Sequence, residues 1–97
     1  MGGRDERRWT FLTNHAHVLV CIAENPDMRG REIADQVGIS ERAVQGIVSD
    51  LAEAGYVRRE RAGRRNHYTI NLDGDLRHPL EDEHTVGELL TMLGRLA

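Results

Sequence analysis

The chain has 97 residues, 39% apolar and 30% charged, with a net charge of −3. That length holds one domain around a single modest core, and no apolar run is long enough to span a membrane. A single cysteine, Cys21, excludes an intramolecular disulfide and a multi-thiolate metal site within one chain.

Residues 1–8 are polar, charged and glycine-containing, and are expected to form a flexible arm. Trp9, Phe11 and Leu12 then supply a compact apolar anchor. Thr13 or Asn14 caps a helix that runs to about Glu24, with His15, Val18, Leu19 and Ile22 on one face. Asn25-Pro26-Asp27 stops it.

The rest of the chain is organised around the stretch Gly30–Val57. Ile33, Ala34 and Val37 form one apolar stripe of a short helix, and Gly38 supplies the residue that tolerates positive φ at its end. Ser40 is a good N-cap, with Glu41 in the first turn where negative charge suits the helix dipole. Val44, Ile47, Val48 and Leu51 recur at helical spacing in a second helix, and Gly55 fits its end. The opposite face of that helix presents Arg42, Gln45, Ser49 and Asp50. Two amphipathic helices across a glycine turn are the pattern of a helix-turn-helix.

Tyr56–Arg61 and His67–Leu72 read as two strands, with Tyr68, Ile70 and Leu72 alternating on one face. Residues 62–66 between them read as a hairpin loop. Asp73-Gly74-Asp75 turns the chain. Thr85-Val86-Gly87-Glu88 is a capping box, and Val86, Leu89, Leu90, Leu93 and Leu96 make an apolar stripe that is expected to run helically to the C-terminus.

The pattern REIADQVGIS-ERAVQGIVSDLAEAGYV followed by a basic hairpin resembles the winged helix-turn-helix of MarR-like and ArsR-like bacterial transcription regulators. The resemblance covers roughly residues 10–72. It implies a mostly α fold with a small β-hairpin, comprising a three-helix core, a two-stranded wing and a C-terminal dimerisation helix. The expected division is an arm over 1–8, a DNA-binding domain over 9–72, and a linker with the dimerisation helix over 73–97. In this family the helix after the turn enters the major groove and the wing touches the flanking backbone or minor groove.

Charge distribution fits that expectation despite the acidic total. Residues 28–72 carry a net +2, whereas residues 73–97 carry −4. Within residues 58–65, Arg58, Arg59, Arg61, Arg64 and Arg65 stand against one acid, Glu60. Such a cluster can merely keep an edge strand soluble, but beside a helix-turn-helix it points to DNA contact, with Arg64, Arg65 and Asn66 toward the tip. On the helix after the turn, Arg42 offers its guanidinium fork to guanine and Gln45 its amide to adenine, Ser49 suits phosphate, and Ser40 at the helix start belongs to the same expected contact set. Gly46 departs from the long basic residue common in relatives. It either lets the backbone approach DNA closely or marks weakened affinity.

The same resemblance implies pairing through terminal elements. The expected homodimer interface comprises Trp9, Phe11, Leu12, Val86, Leu89, Leu90, Leu93 and Leu96, and its two-fold axis would match a pseudo-palindromic operator. The expected function is sequence-specific binding of double-stranded DNA as a transcriptional repressor. The alternative is a winged-helix protein–protein interaction module without DNA binding. No enzymatic constellation, cofactor, metal site or membrane contact is expected, and the protein is expected to be cytoplasmic. His17 and Cys21 share a helix face but lack a completing ligand set, and Cys21 as a redox switch lacks a partner thiol. A small-molecule effector of unknown identity stays open, although so short a chain leaves little room for a pocket outside a dimer interface.

Overall fold

The computed structural model describes residues 9–96; the expected arm over 1–8 lies outside them. In chain order the described elements are α1 (Asn14–Glu24), α2 (Gly30–Val37), α3 (Glu41–Glu53), β1 (Val57–Ala62), β2 (Arg65–Ile70) and α4 (Val86–Met92).

Local chemistry sets most of the boundaries. Helix α1 begins after Thr13, which holds an extended conformation, and ends where the Asn25 N–H donates to Cys21 O at 3.0 Å. Pro26 follows and cannot donate to a further helical turn. Helix α2 ends at Gly38 in the left-handed region, φ +88°, with the N–H groups of Gly38 and Ile39 both donating to Ala34 O. Ser40 caps α3, its Oγ accepting the Ala43 N–H at 3.0 Å. The periodicity of α3 is realised in full: Val44, Ile47, Val48 and Leu51 are buried.

These helices enclose an aliphatic core in which Val18, Ile22, Ile33, Val44 and Val48 are almost wholly removed from water. Each such side chain stabilises the fold by about 1.5–3 kcal/mol relative to remaining exposed. Among the described residues no polar or charged side chain is buried, so the core carries no desolvated charge.

The hairpin is tighter and earlier than the sequence suggests. Pairing is antiparallel from Val57↔Ile70 to Ala62↔Arg65, so the loop contracts from five residues to Gly63-Arg64. Gly63 takes φ +67°, the geometry that lets a two-residue turn follow the strand twist. Arg65 and Asn66 are therefore strand residues. Leu72 lies beyond the strand and is exposed, because the chain turns over Asp73-Gly74 after the Asn71 N–H has donated to Tyr56 O.

The C-terminal segment corrects the sequence reading most. Thr85 and Glu88 form the expected capping box: the Glu88 N–H donates to Thr85 Oγ1 at 3.1 Å, and the Thr85 N–H donates to Glu88 Oε1 at 2.7 Å. Helix α4 nevertheless ends at Met92, and Gly94, at φ +75°, turns the chain back so that the Arg95 N–H donates to Leu90 O. Val86 and Leu90, expected at a dimer interface, are buried in the core of their own chain. Leu96 also packs against this core from beyond the helix. The backbone explains the docking: the N–H groups of Val86 and Gly87 donate to Gly74 O and Leu72 O, fastening α4 to the strand exit. At Gly87 an added Cβ would lie 3.0 Å from Leu72 O, so glycine permits that approach.

The N-terminal aromatics do not anchor on this core. Trp9 is 70% and Phe11 92% exposed, and they stack edge-to-face on each other with centroids 5.1 Å apart. Leu12 is half-buried. Among the described residues no helix is long and apolar enough to cross a membrane.

Candidate nucleic-acid interface

Burial of the Val44–Leu51 stripe forces the other side of α3 outward. Arg42, Gln45, Gly46 and Ser49 are all exposed along it. Ser40 stands at its start with the hydroxyl oxygen already engaged in the cap, leaving the O–H free to donate. No neighbour of the fold requires glycine at 46: its φ is not positive, and an added Cβ would find open space.

Strand alternation divides the wing arginines. Arg59 and Arg61 share a face with Val57 and Tyr68, whereas Arg58 and Arg65 occupy the opposite one, and Arg64 sits in the turn. The five cations thus form two faces and a tip. Arg58 also lies 3.4 Å from Glu60, an exposed pair that trims the local charge with little energetic gain. The Arg61 Nε–H donates to Gly63 O at 3.1 Å, tying one guanidinium to the turn.

Two contacts set where the wing stands. The Tyr68 N–H donates to Pro26 O at 2.9 Å, and His67 Nδ1 lies 2.7 Å from Asp27 Oδ1. Both join β2 to the α1–α2 connection. On the far side of α3, His15 Nε2 lies 2.9 Å from Asp50 Oδ2, joining α3 to α1. Helix α3 and the wing are therefore held on one frame, and the two carboxylates are occupied by imidazoles.

Between the start of α2, α3 and the wing lies a cleft of about 620 Å³ lined by Asp27, Met28, Arg29, Gly30, Gln45, Arg64, Arg65, Asn66 and Tyr68. It brings together Gln45, Arg64, Arg65 and Asn66 from the sequence-derived set; Arg42, Ser49 and Arg58 lie outside it. Arg29 and Gly30 also line it and were not among the sequence-derived candidates. Arg29 carries a guanidinium beside the helix-turn-helix, a signal that charge counting could have used. Gly30 carried none, because it reads as an ordinary helix-start residue.

A second groove, about 560 Å³, runs between α1, the end of α3 and the start of α4. Ala16, Leu19, Leu51, Val86 and Leu89 give it an apolar floor, and Thr13, His15, Asp50, Glu53 and Arg77 are among its polar lining.

Among the described residues two groups titrate away from their usual ranges. Burial, assisted by Glu24 and opposed by Arg95, pushes the Cys21 thiol up. The Thr85 backbone N–H holds the Glu88 carboxyl below the usual carboxylate range, with His84 adding to the effect. A thiol that is buried and raised in pKa is a poor nucleophile and a poor metal ligand. Among the described residues no three His, Cys, Asp or Glu side chains are grouped to hold a metal ion.

A search among curated protein sequences finds no match. Among solved structures, the chain is similar to MepR, a transcription regulator of the Staphylococcus aureus multidrug efflux pump MepA. The TM-score is 0.59 at 12% identity, over 93% of this chain and 62% of that one. It is also similar to the PcaV transcriptional regulator from Streptomyces coelicolor, solved in complex with its natural ligand. Here the TM-score is 0.58 at 22% identity, over 89% of this chain and 63% of that one. At these identities the likeness establishes the winged-helix fold, and the chain spans less than two thirds of either protein's length. A family model described as MarR family matches residues 10–65, more than half of the sequence. The chain belongs to the MarR family.

Proposed function

We propose that this chain is a sequence-specific double-stranded-DNA-binding transcriptional regulator. The observation that carries the reading is the exposed Arg42/Gln45/Gly46/Ser49 face of α3 standing beside an arginine-bearing wing on one frame. Helix α3 enters the major groove, where Arg42 and Gln45 read base edges. Arg64 and Arg65 grip the adjoining backbone or enter the minor groove, and Arg58, Arg59, Arg61 and Asn66 add contacts along the strands. The charge-mediated part of affinity resides in the wing and falls with salt.

The protein acts as a homodimer and represses by occluding polymerase on a pseudo-palindromic site. Support for pairing comes from apolar surface left uncovered: Trp9, Phe11, Met92 and Leu93 are exposed, with Leu12 and Leu89 half-buried. This reading leaves out Val86 and Leu90, which are buried in the core of their own chain. An effector, where one acts, has the α1–α3–α4 groove available, whose volume falls within the range of small-molecule sites.

The test is a duplex-binding titration across a salt series with the unaltered chain and with Arg64→Ala/Arg65→Ala. Each lost phosphate contact reduces the slope of log affinity against log salt by about 0.9. The double variant is expected to lose up to about two such increments and to weaken at every sequence. An unchanged slope refutes the wing assignment. Absence of binding even at low salt replaces the whole reading with a protein-interaction module.

A further inference from the structure

We infer that Gly30, outside α3, sets the aim of Gln45 and so acts as a positioning residue for base recognition. The inference rests on the DNA-binding reading of α3. Gly30 is the first residue of α2, and its φ is not positive, so the backbone does not demand glycine there. Helix propensity disfavours glycine relative to alanine. What glycine leaves at this position is space. A Cβ added at Gly30 would lie 2.9 Å from Gln45 Nε2, closer than non-bonded carbon and nitrogen atoms tolerate, and 3.7 Å from Glu41 Oε2.

Glu41 and Gln45 stand one turn apart on α3 and both pass over the start of α2 at this point. The missing side chain is the seat of the Gln45 carboxamide. The same amide lines the cleft whose other wall is Arg64, Arg65 and Asn66, so its resting place lies between the helix that reads and the wing that grips. An exposed glutamine has considerable rotamer freedom to lose on binding. Glycine at 30 leaves this resting place open to the amide and an added Cβ would close it, so the residue there bears on which base edge the amide meets. Gly46, on the same helix as Gln45 and equally free of positive φ, has no atom near its missing Cβ, so the close approach is not shared by the other glycine of this surface.

Because the atom in the way is the far end of a flexible side chain, Gly30→Ala is expected to displace the amide and leave the fold intact. Binding-site selection from a random duplex library, with the full chain, tests this on Gly30→Ala, Gln45→Ala and the double variant, with thermal unfolding of each. In the unaltered chain one base position depends on Gln45. There, Gly30→Ala is expected to lower discrimination at least about fivefold, the lower end of what one bidentate amide contact contributes. Its melting temperature should be unchanged or raised, and in the Gln45→Ala background it should have no further effect on selection. Relaxed preference with Gln45→Ala but intact preference with Gly30→Ala overturns the inference alone. Intact preference with Gln45→Ala overturns the direct-readout reading and this inference with it. A lowered melting temperature for Gly30→Ala makes the position a packing requirement, and a further loss of selection in the Gln45→Ala background removes Gln45 as its target; either overturns the inference.

Discussion

Gly46→Ala is the sharpest probe of α3, because stability and binding respond to it separately. Glycine inside a helix is less favourable than alanine by about 0.5–1 kcal/mol, since the unfolded chain has more backbone freedom to lose. At Gly46 nothing offsets that term: φ is not positive, and the added methyl meets no atom within 4 Å, so it neither clashes nor gains packing. The full propensity difference should appear as stabilisation. For a domain of this size one kcal/mol corresponds to roughly 4–8 °C, so the melting temperature should rise by about 2–8 °C. Far-UV circular dichroism is the suitable observable, since Trp9 is largely exposed and its emission reports little on the core. Duplex affinity measured on the same variant then separates the two roles open for Gly46. Stabilisation with weakened binding means that the backbone at 46 lies against DNA. Stabilisation with binding unchanged or stronger means that the glycine only weakened the helix. A fall in melting temperature refutes the reasoning, because it requires a neighbour or a backbone demand at that position.

Leu90 and Leu93 should behave differently although both belong to one apolar stripe. Leu90→Ala, at a fully buried position, should lower unfolding free energy by about 2–5 kcal/mol in urea titration, whereas Leu93→Glu, 36% exposed, should leave the fold intact and raise the dimer dissociation constant in light scattering; a Leu93→Glu protein that stays dimeric removes that residue from the interface. Glu88 contributes stability that is fully present above its unfolded pKa and is lost as pH falls through its depressed folded pKa. An acid titration of stability should therefore flatten in Glu88→Gln over the carboxylate range, and an identical profile counts against the capping role. Cys21, buried with its pKa raised, should label with thiol reagents at neutral pH far more slowly than a free thiol, and addition of denaturant should restore fast labelling.

Local sequence determined the elements and their faces. The Val44/Ile47/Val48/Leu51 spacing specified the buried side of α3, and with it the outward side that carries Arg42 and Gln45, because a helix repeats every 3.6 residues whatever surrounds it. Gly38, Ser40, Gly55 and the Thr85/Glu88 box marked boundaries through backbone chemistry confined to a few residues. The wing's charge was equally legible, since composition alone displays it.

Periodicity says that a face is buried but not what buries it. The α4 stripe satisfied its own chain's core at Val86 and Leu90, where the sequence had assigned it to a partner. The difference came from backbone hydrogen bonds to Gly74 and Leu72, which no side-chain pattern records. The standing of the wing depended on His67 meeting Asp27 across 40 residues of chain. The seat of Gln45 depended on an absent side chain at Gly30, in another helix. Short-range rules of capping and spacing therefore built the parts, whereas their mutual placement, and with it the geometry of the candidate interface, was decided by contacts between residues far apart in sequence.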